Sequence, residues 1–415
     1  MEQKRQVYVI GAGAAGMVAA ICARRNGYLV TILESTNQSG KKILMTGNGK
    51  CNLSNRYFSL DCYQNGNKKF LKEVFVQFDV EKTCQFFEDL GLFITEKDGY
   101  LYPNSKQASS VAKILTEECK CIGIKTIYQE KVVEIKRKGK QYLIYGTQEM
   151  YHADDIILAT GSKAYPKTGS DGSGYALLEK LGCKMVPPLP ALTALKCKEK
   201  YCKNFAGVRV QGHIQLKIQG KKIAEETGEI QLTDYGISGI PVFQISRYAS
   251  RALAKNKDVT VLLDFMPDYT FQDLLSLFEK KIERYPKKTI SEQFLGVLNE
   301  KLALVILESL NLRKNTESVT FSNGALKKII SKMKQFELHV IGTNGYDQSQ
   351  ICCGGLSLDE VKPETLELKK YPGIYVAGEI LDVDGICGGY NLQWAWSSGY
   401  VAGLLQKENK RGKKK

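Results

Sequence analysis

The residues with the most specific chemistry stand at the start of the chain. Gly11, Gly13 and Gly16 follow the spacing G-x-G-x-x-G, with Ala12, Ala14 and Ala15 between them. In that spacing the first glycine permits a tight turn. The second leaves room for a pyrophosphate, and the third lets a helix pack closely on a strand. Amides at the helix start then meet the phosphates. About 20 residues further on, an acid in such a unit accepts the hydroxyls of an adenosine ribose, and Glu34 stands there. An acid at this place favours FAD or NAD over NADP, because a 2′-phosphate would be repelled. Two more stretches join glycine to polar residues. Residues 39–56 (SGKKILMTGNGKCNLSNR) offer Lys41, Lys42 and Lys50 to phosphates, and Cys51 and Asn52 to a ring. Residues 378–391 contain Gly378, Glu379, Asp384, Gly389, Tyr390 and Asn391. Amides that open a helix have no intrahelical partner, so those of Gly389, Tyr390 and Asn391 can stabilise developing negative charge.

Candidate proton donors are Tyr165, Tyr235, Asp384 and Tyr390. With 22 tyrosines in the chain, packing and hydrogen bonding are competing roles for each. Cys51 is either a redox-active thiol or a small buried apolar group. Three histidines argue against a His-rich metal centre, and no metal is expected.

These groups need a frame. Residues 6–10 read as a strand, the fingerprint opens a small-residue helix, and residues 29–33 form a second strand. The strand–fingerprint–helix unit occurs once, since Gly342–Gly345 has the wrong spacing. Residues 39–56 read as a loop beside the crevice at the carboxyl ends of the strands. Residues 68–90 read as one amphipathic helix, and 125–145 as two strands turning at 138–140. Residues 154–160 form a strand ending at Thr160-Gly161, a second close approach of backbone to ligand. Pro187-Pro188-Leu189-Pro190 is stiff and marks a boundary. Beyond it lie strands at 208–218, 223–227 and 259–264 and helices at 241–254, 270–281, 290–298, 301–310 and 323–334. The chain returns with a strand at 373–379 and a helix from 392 to about 405, whose Ala395, Ser398, Gly399, Ala402 and Gly403 suit tight packing.

At 415 residues the chain is long enough for two or three domains. Its 43% hydrophobic and 25% charged residues fit a soluble protein. No signal peptide or transmembrane run is read, and the twelve cysteines show no disulfide framework. The expected location is cytoplasmic. Net charge is +15, part of it from the tail Lys407–Lys415. That tail reads as a solvated end, and the charge as at most weak attraction for nucleic acid.

The whole pattern resembles the HI0933-like (YhiN/BaiN-type) family of NAD(P)/FAD-dependent flavoprotein oxidoreductases. The matching blocks are VIGAGAAGMVAA at 9–20, GKKILMTGNGKCNLSN at 40–55, ILATGSKAYPKTGSDGSGY at 157–175, GEIQLTDYGISGIPVFQIS at 228–246 and IYVAGEILDVDGICGGYNLQWAWSSGYVAG at 374–403. The family usually has Arg where Lys50 stands, and Lys lacks the bidentate fork. The resemblance implies an α/β protein with a two-part Rossmann-like FAD-binding domain, at 1–190 and 340–406. A β-rich and then helical substrate domain is inserted at 191–339, and a basic tail follows at 407–415. The cofactor-binding set becomes Gly11, Gly13, Ala14, Ala15, Gly16, Glu34, Lys42, Thr46, Gly47, Gly49, Lys50, Cys51, Asn52, Val133, Thr160, Gly161, Gly378, Glu379, Asp384, Gly389, Tyr390 and Asn391. Glu379 is placed by analogy at the ribityl chain or nearby phosphate.

Three functions stay open at this point. The first is NAD(P)H-driven reduction, through non-covalent FAD, of an activated carbon–carbon double bond in a small organic molecule. Some relatives reduce 3-oxo bile-acid intermediates. Without a second dinucleotide unit, NAD(P)H would dock transiently as electron donor. The second is flavin-dependent modification of tRNA or another nucleic acid. The third is a non-catalytic flavin-binding protein. On the first reading, no membrane and no specific nucleic acid is a partner. Gly389→Ala is then expected to slow flavin reduction more than it destabilises the fold.

Overall fold

The computed structural model describes residues 5–64 and 67–405, so the basic tail at 407–415 lies outside the described residues. The chain forms two compact units, Met1–Leu189 with Gln350–Lys415, and Pro190–Ser349.

The first unit is built on a five-stranded sheet. Its order is Ile374–Val376, Asp155–Leu158, Gln6–Ile10, Leu29–Glu34, Lys125–Tyr128. All four pairings are parallel, with Val9 between Ile157 and Ile32. Parallel strands are covered on both faces, which is why QVYVI, LVTILE and DIIL are nearly continuous apolar runs. Helix Ala14–Arg25 follows the first strand and packs against the final helix, Tyr390–Gly403. The small residues decide that contact. A Cβ on Gly399 would lie 2.4 Å from the Ala15 carbonyl oxygen, and one on Gly403 would lie 2.5 Å from that of Ala19. The backbones therefore approach more closely than any larger side chain allows.

Several local expectations change. Residues 68–90 form two helices, Lys68–Gln77 and Val80–Asp89. Asp79 interrupts the apolar pattern as a cap, accepting from the Lys82 amide at 2.8 Å. Residues 39–56 contain a short helix, Lys41–Met45, and a 3-10 turn, Thr46–Gly49. In 125–145 the first segment joins the parallel sheet. Val132–Lys138, Gln141–Gly146 and Met150–Ala153 form a separate antiparallel sheet. The proline-rich stretch is a strand, Met185–Ala191, paired with Ile351–Leu356.

The second unit is a closed barrel of six strands. They are Leu195–Cys197, Gly236–Ser238, Lys221–Thr233, Arg209–Ile218, Val259–Asp264 and Phe336–Thr343. Helices Ile240–Leu253, Phe271–Arg284, Glu300–Ser309 and Asn323–Lys334 accompany it, and its core includes Phe278, Phe294 and Phe336. Phe336–Thr343 closes the barrel, with Phe336, Leu338 and Val340 buried in alternation. The chain therefore returns to the first unit between Ser349 and Gln350 and not near residue 340.

Candidate functional site

The three fingerprint glycines do different work. Gly11 has φ +103°, and a Cβ there would lie 2.5 Å from the Ala159 carbonyl oxygen. A Cβ on Gly16 would lie 2.0 Å from the Gly11 carbonyl oxygen. Both are glycine because backbone fills the space. A Cβ on Gly13 would meet nothing within 4 Å, so this position opens outward beside the amides of Ala14, Ala15 and Gly16. No acid occupies the first turn of that helix, which leaves its positive end available to an anion.

Glu34 is buried at the end of its strand. Its Oε2 accepts from the Ala12 amide at 2.7 Å, and its Oε1 accepts from the Thr36 amide at 2.8 Å. Oε1 also accepts from the Ser35 hydroxyl at 3.4 Å, while Oε2 keeps a second lone pair, so the carboxylate is aimed before any ribose arrives. Gly169 lies over this carboxylate, where a Cβ would come within 2.6 Å of Thr36 Cγ2. Val133 exposes its side chain, and its carbonyl accepts from Lys180 Nζ at 3.1 Å. Only its backbone is therefore suited to line a site.

The loop at 40–55 meets the returning segment at 378–391. Lys42 Nζ pairs with Glu379 Oε2 at 2.6 Å, and Glu379 Oε1 accepts from the Cys352 amide at 3.1 Å. Lys42 is thus fixed to Glu379, while Lys50 is exposed. Thr46 donates its hydroxyl to the Ile43 carbonyl at 2.6 Å. Gly47 and Gly49 take positive φ, which folds the turn back onto Asn52. Cys51 is fully buried, and burial pushes its thiol up to about 12, against the opposing Thr46 hydrogen bond. Burial of this kind supports the packing role for that thiol over the redox one.

At the second helix start, Gly389 has φ +94°. A Cβ there would lie 2.7 Å from the Ser54 carbonyl oxygen and 2.9 Å from Asn52 Oδ1. The expectation for Gly389→Ala therefore changes. Alanine is strained in this backbone and collides with Ser54, so the substitution damages the fold of the site before it reports on rate. Asn55 Nδ2 donates to the Gly388 carbonyl at 3.1 Å. Asn391 clamps Gly385, accepting from its amide at 2.8 Å and donating to its carbonyl at 2.9 Å. Behind the turn, Gln393 accepts from Ser54 Oγ at 2.6 Å and donates to Thr83 Oγ1 at 2.8 Å and Ser397 Oγ at 2.9 Å. Ser54, Asn55 and Gln393 are absent from the residues expected on sequence grounds. Their one signal is position: two belong to the Asn-rich loop, and Gln393 stands one helical turn after Gly389.

The proton-donor candidates divide. Asp384 is buried and lies in the turn that Asn391 clamps. Tyr390 donates its hydroxyl to the Tyr57 carbonyl at 3.0 Å, and burial, with Cys62 beside it, holds the phenol well above its ordinary range. Tyr165 takes φ +60° at the head of the turn Pro166–Thr168, after Thr160 and Gly161. Tyr235 belongs to the barrel unit, where its carbonyl accepts from the Cys197 amide at 2.8 Å.

FAD fits the residues of the first unit on observations independent of any relative. Asn52 Oδ1 and Thr160 Oγ1 are buried without a hydrogen-bond partner. Gly13 faces open space, and two helix starts carry no acid in their first turn. Comparison with known proteins then decides the lineage. Residues 5–405 match the family described as the HI0933-like protein Rossmann domain. The chain belongs to that family. It is 41% identical, over 97% of its length and 99% of the relative's, to a 3-dehydro-bile acid Δ(4,6)-reductase of Clostridium scindens. It is 27% identical to a ribosomal RNA dihydrouridine synthase of Haemophilus influenzae, over 97% of this chain and 99% of that one. A protein of the same name from Escherichia coli is 26% identical, over 95% and 96% of the two chains. This chain of the HI0933-like family is an FAD-dependent oxidoreductase.

Proposed function

We propose that the protein reduces a carbon–carbon double bond conjugated to a carbonyl in a small, 3-oxo-steroid-like molecule, with NAD(P)H as transient electron donor. The 41% identity to a bile-acid reductase across nearly both chains carries this reading. FAD, when bound, supplies the hydride chemistry. Glu34 holds the adenosine ribose, and the amides of Ala14, Ala15 and Gly16 hold the pyrophosphate beside Gly13. Thr160, Gly161, Gly47 and Gly49 would help hold the phosphates, and the Lys42–Glu379 pair with Gly378 would order the middle of the cofactor. The amides of Gly389, Tyr390 and Asn391 would stabilise the negative charge that develops on the reduced ring. Reduction of an enone also requires a proton at the α-carbon. Asp384, buried in the turn that Asn391 clamps, is one candidate donor. Tyr390 can serve only by leaving the Tyr57 carbonyl, and Tyr165 and Tyr235 remain further candidates.

Anaerobic stopped-flow of purified holoprotein tests this. NADH or NADPH should bleach the flavin, and a 3-oxo-4-ene or 3-oxo-4,6-diene steroid should restore its colour within the turnover time. Bleaching by neither nucleotide, or reoxidation by oxygen alone, would overturn the proposal.

Two ribosomal RNA dihydrouridine synthases among the relatives, and a net charge of +15, favour a second reading. Dihydrouridine is uridine saturated at its 5,6 bond, itself conjugated to a carbonyl. The same flavin chemistry would serve, and only the recognition of the substrate would differ. Reoxidation by ribosomal RNA and not by steroids would select it. No helix among the described residues is long and apolar enough to cross a membrane.

A further inference from the structure

We infer that the Asn52 side-chain carbonyl recognises the N3–H group of the isoalloxazine ring. The inference rests on the reading that the Gly389 helix start holds the flavin ring. It adds the group that fixes which edge of the ring enters.

Asn52 is more than nine-tenths buried, and its Oδ1 has no hydrogen-bond partner. A buried amide oxygen left unpaired is costly, so proteins rarely keep one without a partner. The position of this oxygen is set from three sides. The positive-φ turn at Gly47, Asn48 and Gly49 delivers Asn52, and Gly47 has no room for a Cβ against the Asn52 amide nitrogen, 2.9 Å away. Asn55 ties the same loop to the Gly388 carbonyl. Ser54 ties it to Gln393 in the final helix. As a result Oδ1 lies 2.9 Å from where a Gly389 Cβ would stand, beside the start of a 14-residue helix.

The site therefore presents two kinds of group side by side. The helix start offers amide donors, and Asn52 offers one acceptor. A matching ligand edge carries an acceptor next to a donor. On FAD that pattern is N3–H with a ring carbonyl beside it, C2=O on one side and C4=O on the other; helix amides placed where negative charge develops, at N1–C2=O, select the C2=O side. The adenine and its ribose are served elsewhere, at Glu34. N3 keeps its proton in oxidised and reduced flavin alike. Asn52 should accordingly set affinity and orientation without setting the redox potential, whereas the helix amides should bias the potential.

The test uses apoprotein reconstituted with FAD and with FAD methylated at N3, in wild type, Asn52→Ala and Asn52→Asp. Wild type should bind the methylated cofactor at least tenfold more weakly than FAD. Asn52→Ala should bind FAD roughly tenfold more weakly and bind both cofactors alike, because the alanine leaves space for the methyl group. Asn52→Asp keeps an acceptor and should still discriminate. The midpoint potential of Asn52→Ala should match wild type. If Asn52→Ala discriminates as strongly as wild type, N3–H is recognised by another group and the inference fails. It fails equally if the variant lowers the melting temperature of the apoprotein while discrimination persists, since Asn52 would then serve the fold of the loop alone. Wild type that binds neither cofactor would instead sink the reading of the site itself.

Discussion

At the scale of single residues, the site is held by groups already engaged before a ligand arrives. Glu34 accepts one backbone amide on each oxygen. Glu34→Gln replaces one oxygen by a donor, so either the Ala12 or the Thr36 amide faces an NH2 group. The loss should exceed that of the charge alone. FAD affinity should fall at least tenfold, while protein saturated with FAD still turns over; flavin titration beside stopped-flow checks both halves. Gly389→Ala should behave in the opposite sense. A positive-φ alanine colliding with the Ser54 carbonyl costs about 3 kcal/mol or more. Melting curves should show a lower midpoint with and without FAD, and flavin content should drop. A variant with wild-type melting and wild-type flavin content would refute the close contact. Cys51 gives a third expectation. Burial holds its thiol protonated at neutral pH, while Cys121 is exposed. Alkylation near pH 8 should label Cys121 first and leave Cys51 untouched until the protein unfolds, as peptide mapping would reveal.

Between elements, the decisive contact is that of helix Ala14–Arg25 with helix Tyr390–Gly403. Gly399 meets the Ala15 carbonyl, in the first turn of the helix whose start should carry the pyrophosphate. Gly399→Ala inserts a methyl group where backbone stands, and overpacking of this kind costs about 1–3 kcal/mol. Although Gly399 belongs to neither cofactor-facing turn, FAD affinity should fall together with the melting temperature. Unchanged affinity would mean that the first helix keeps its place without this contact. Much at this scale is legible in the sequence. The βαβ unit, the second glycine-ended strand and the small-residue final helix follow from apolar runs and glycine spacing, because parallel strands and close helices leave those marks. What the sequence hides is pairing. Nothing in the residue types says that Lys42 meets Glu379, that Asn55 meets Gly388, or that Gln393 collects Ser54, Thr83 and Ser397. These contacts depend on how distant segments cross, not on local pattern. Asp79 escapes notice because a cap inside an apolar stretch looks like an exposed position of one longer helix. Phe336–Thr343 escapes it even though it alternates cleanly, since its partners lie far away in the chain.

For the whole molecule, the two chain crossings offer a test. The strand leading out, Met185–Ala191, pairs with the strand leading back, Ile351–Leu356, and the Ser357 amide donates to the Lys184 carbonyl at 3.0 Å. The ends of the first unit are therefore neighbours. Replacing residues 190–349 by a short Gly/Ser linker should leave a folded protein that still binds FAD and has lost turnover of its substrate. Failure to bind FAD would show that the barrel unit supports the cradle directly. The same arrangement has a consequence for how the protein is made. Hydrogen bonds that close the cradle join residues 333 and 339 positions apart, Asn55 to Gly388 and Ser54 to Gln393. At about 5–20 residues per second on the ribosome, roughly 20 to 70 s separate the emergence of the two sides. Throughout that interval the fingerprint helix lacks the partner on which Ala15 and Ala19 rest, and its apolar face is open to water or to a chaperone. On the proposed placement, only the adenosine and pyrophosphate half of FAD would find its residues early, because the turn that would receive the ring has not yet been synthesised. Full capture of the cofactor would then wait for a chain that is nearly complete, which would make the supply of FAD a check on finished molecules.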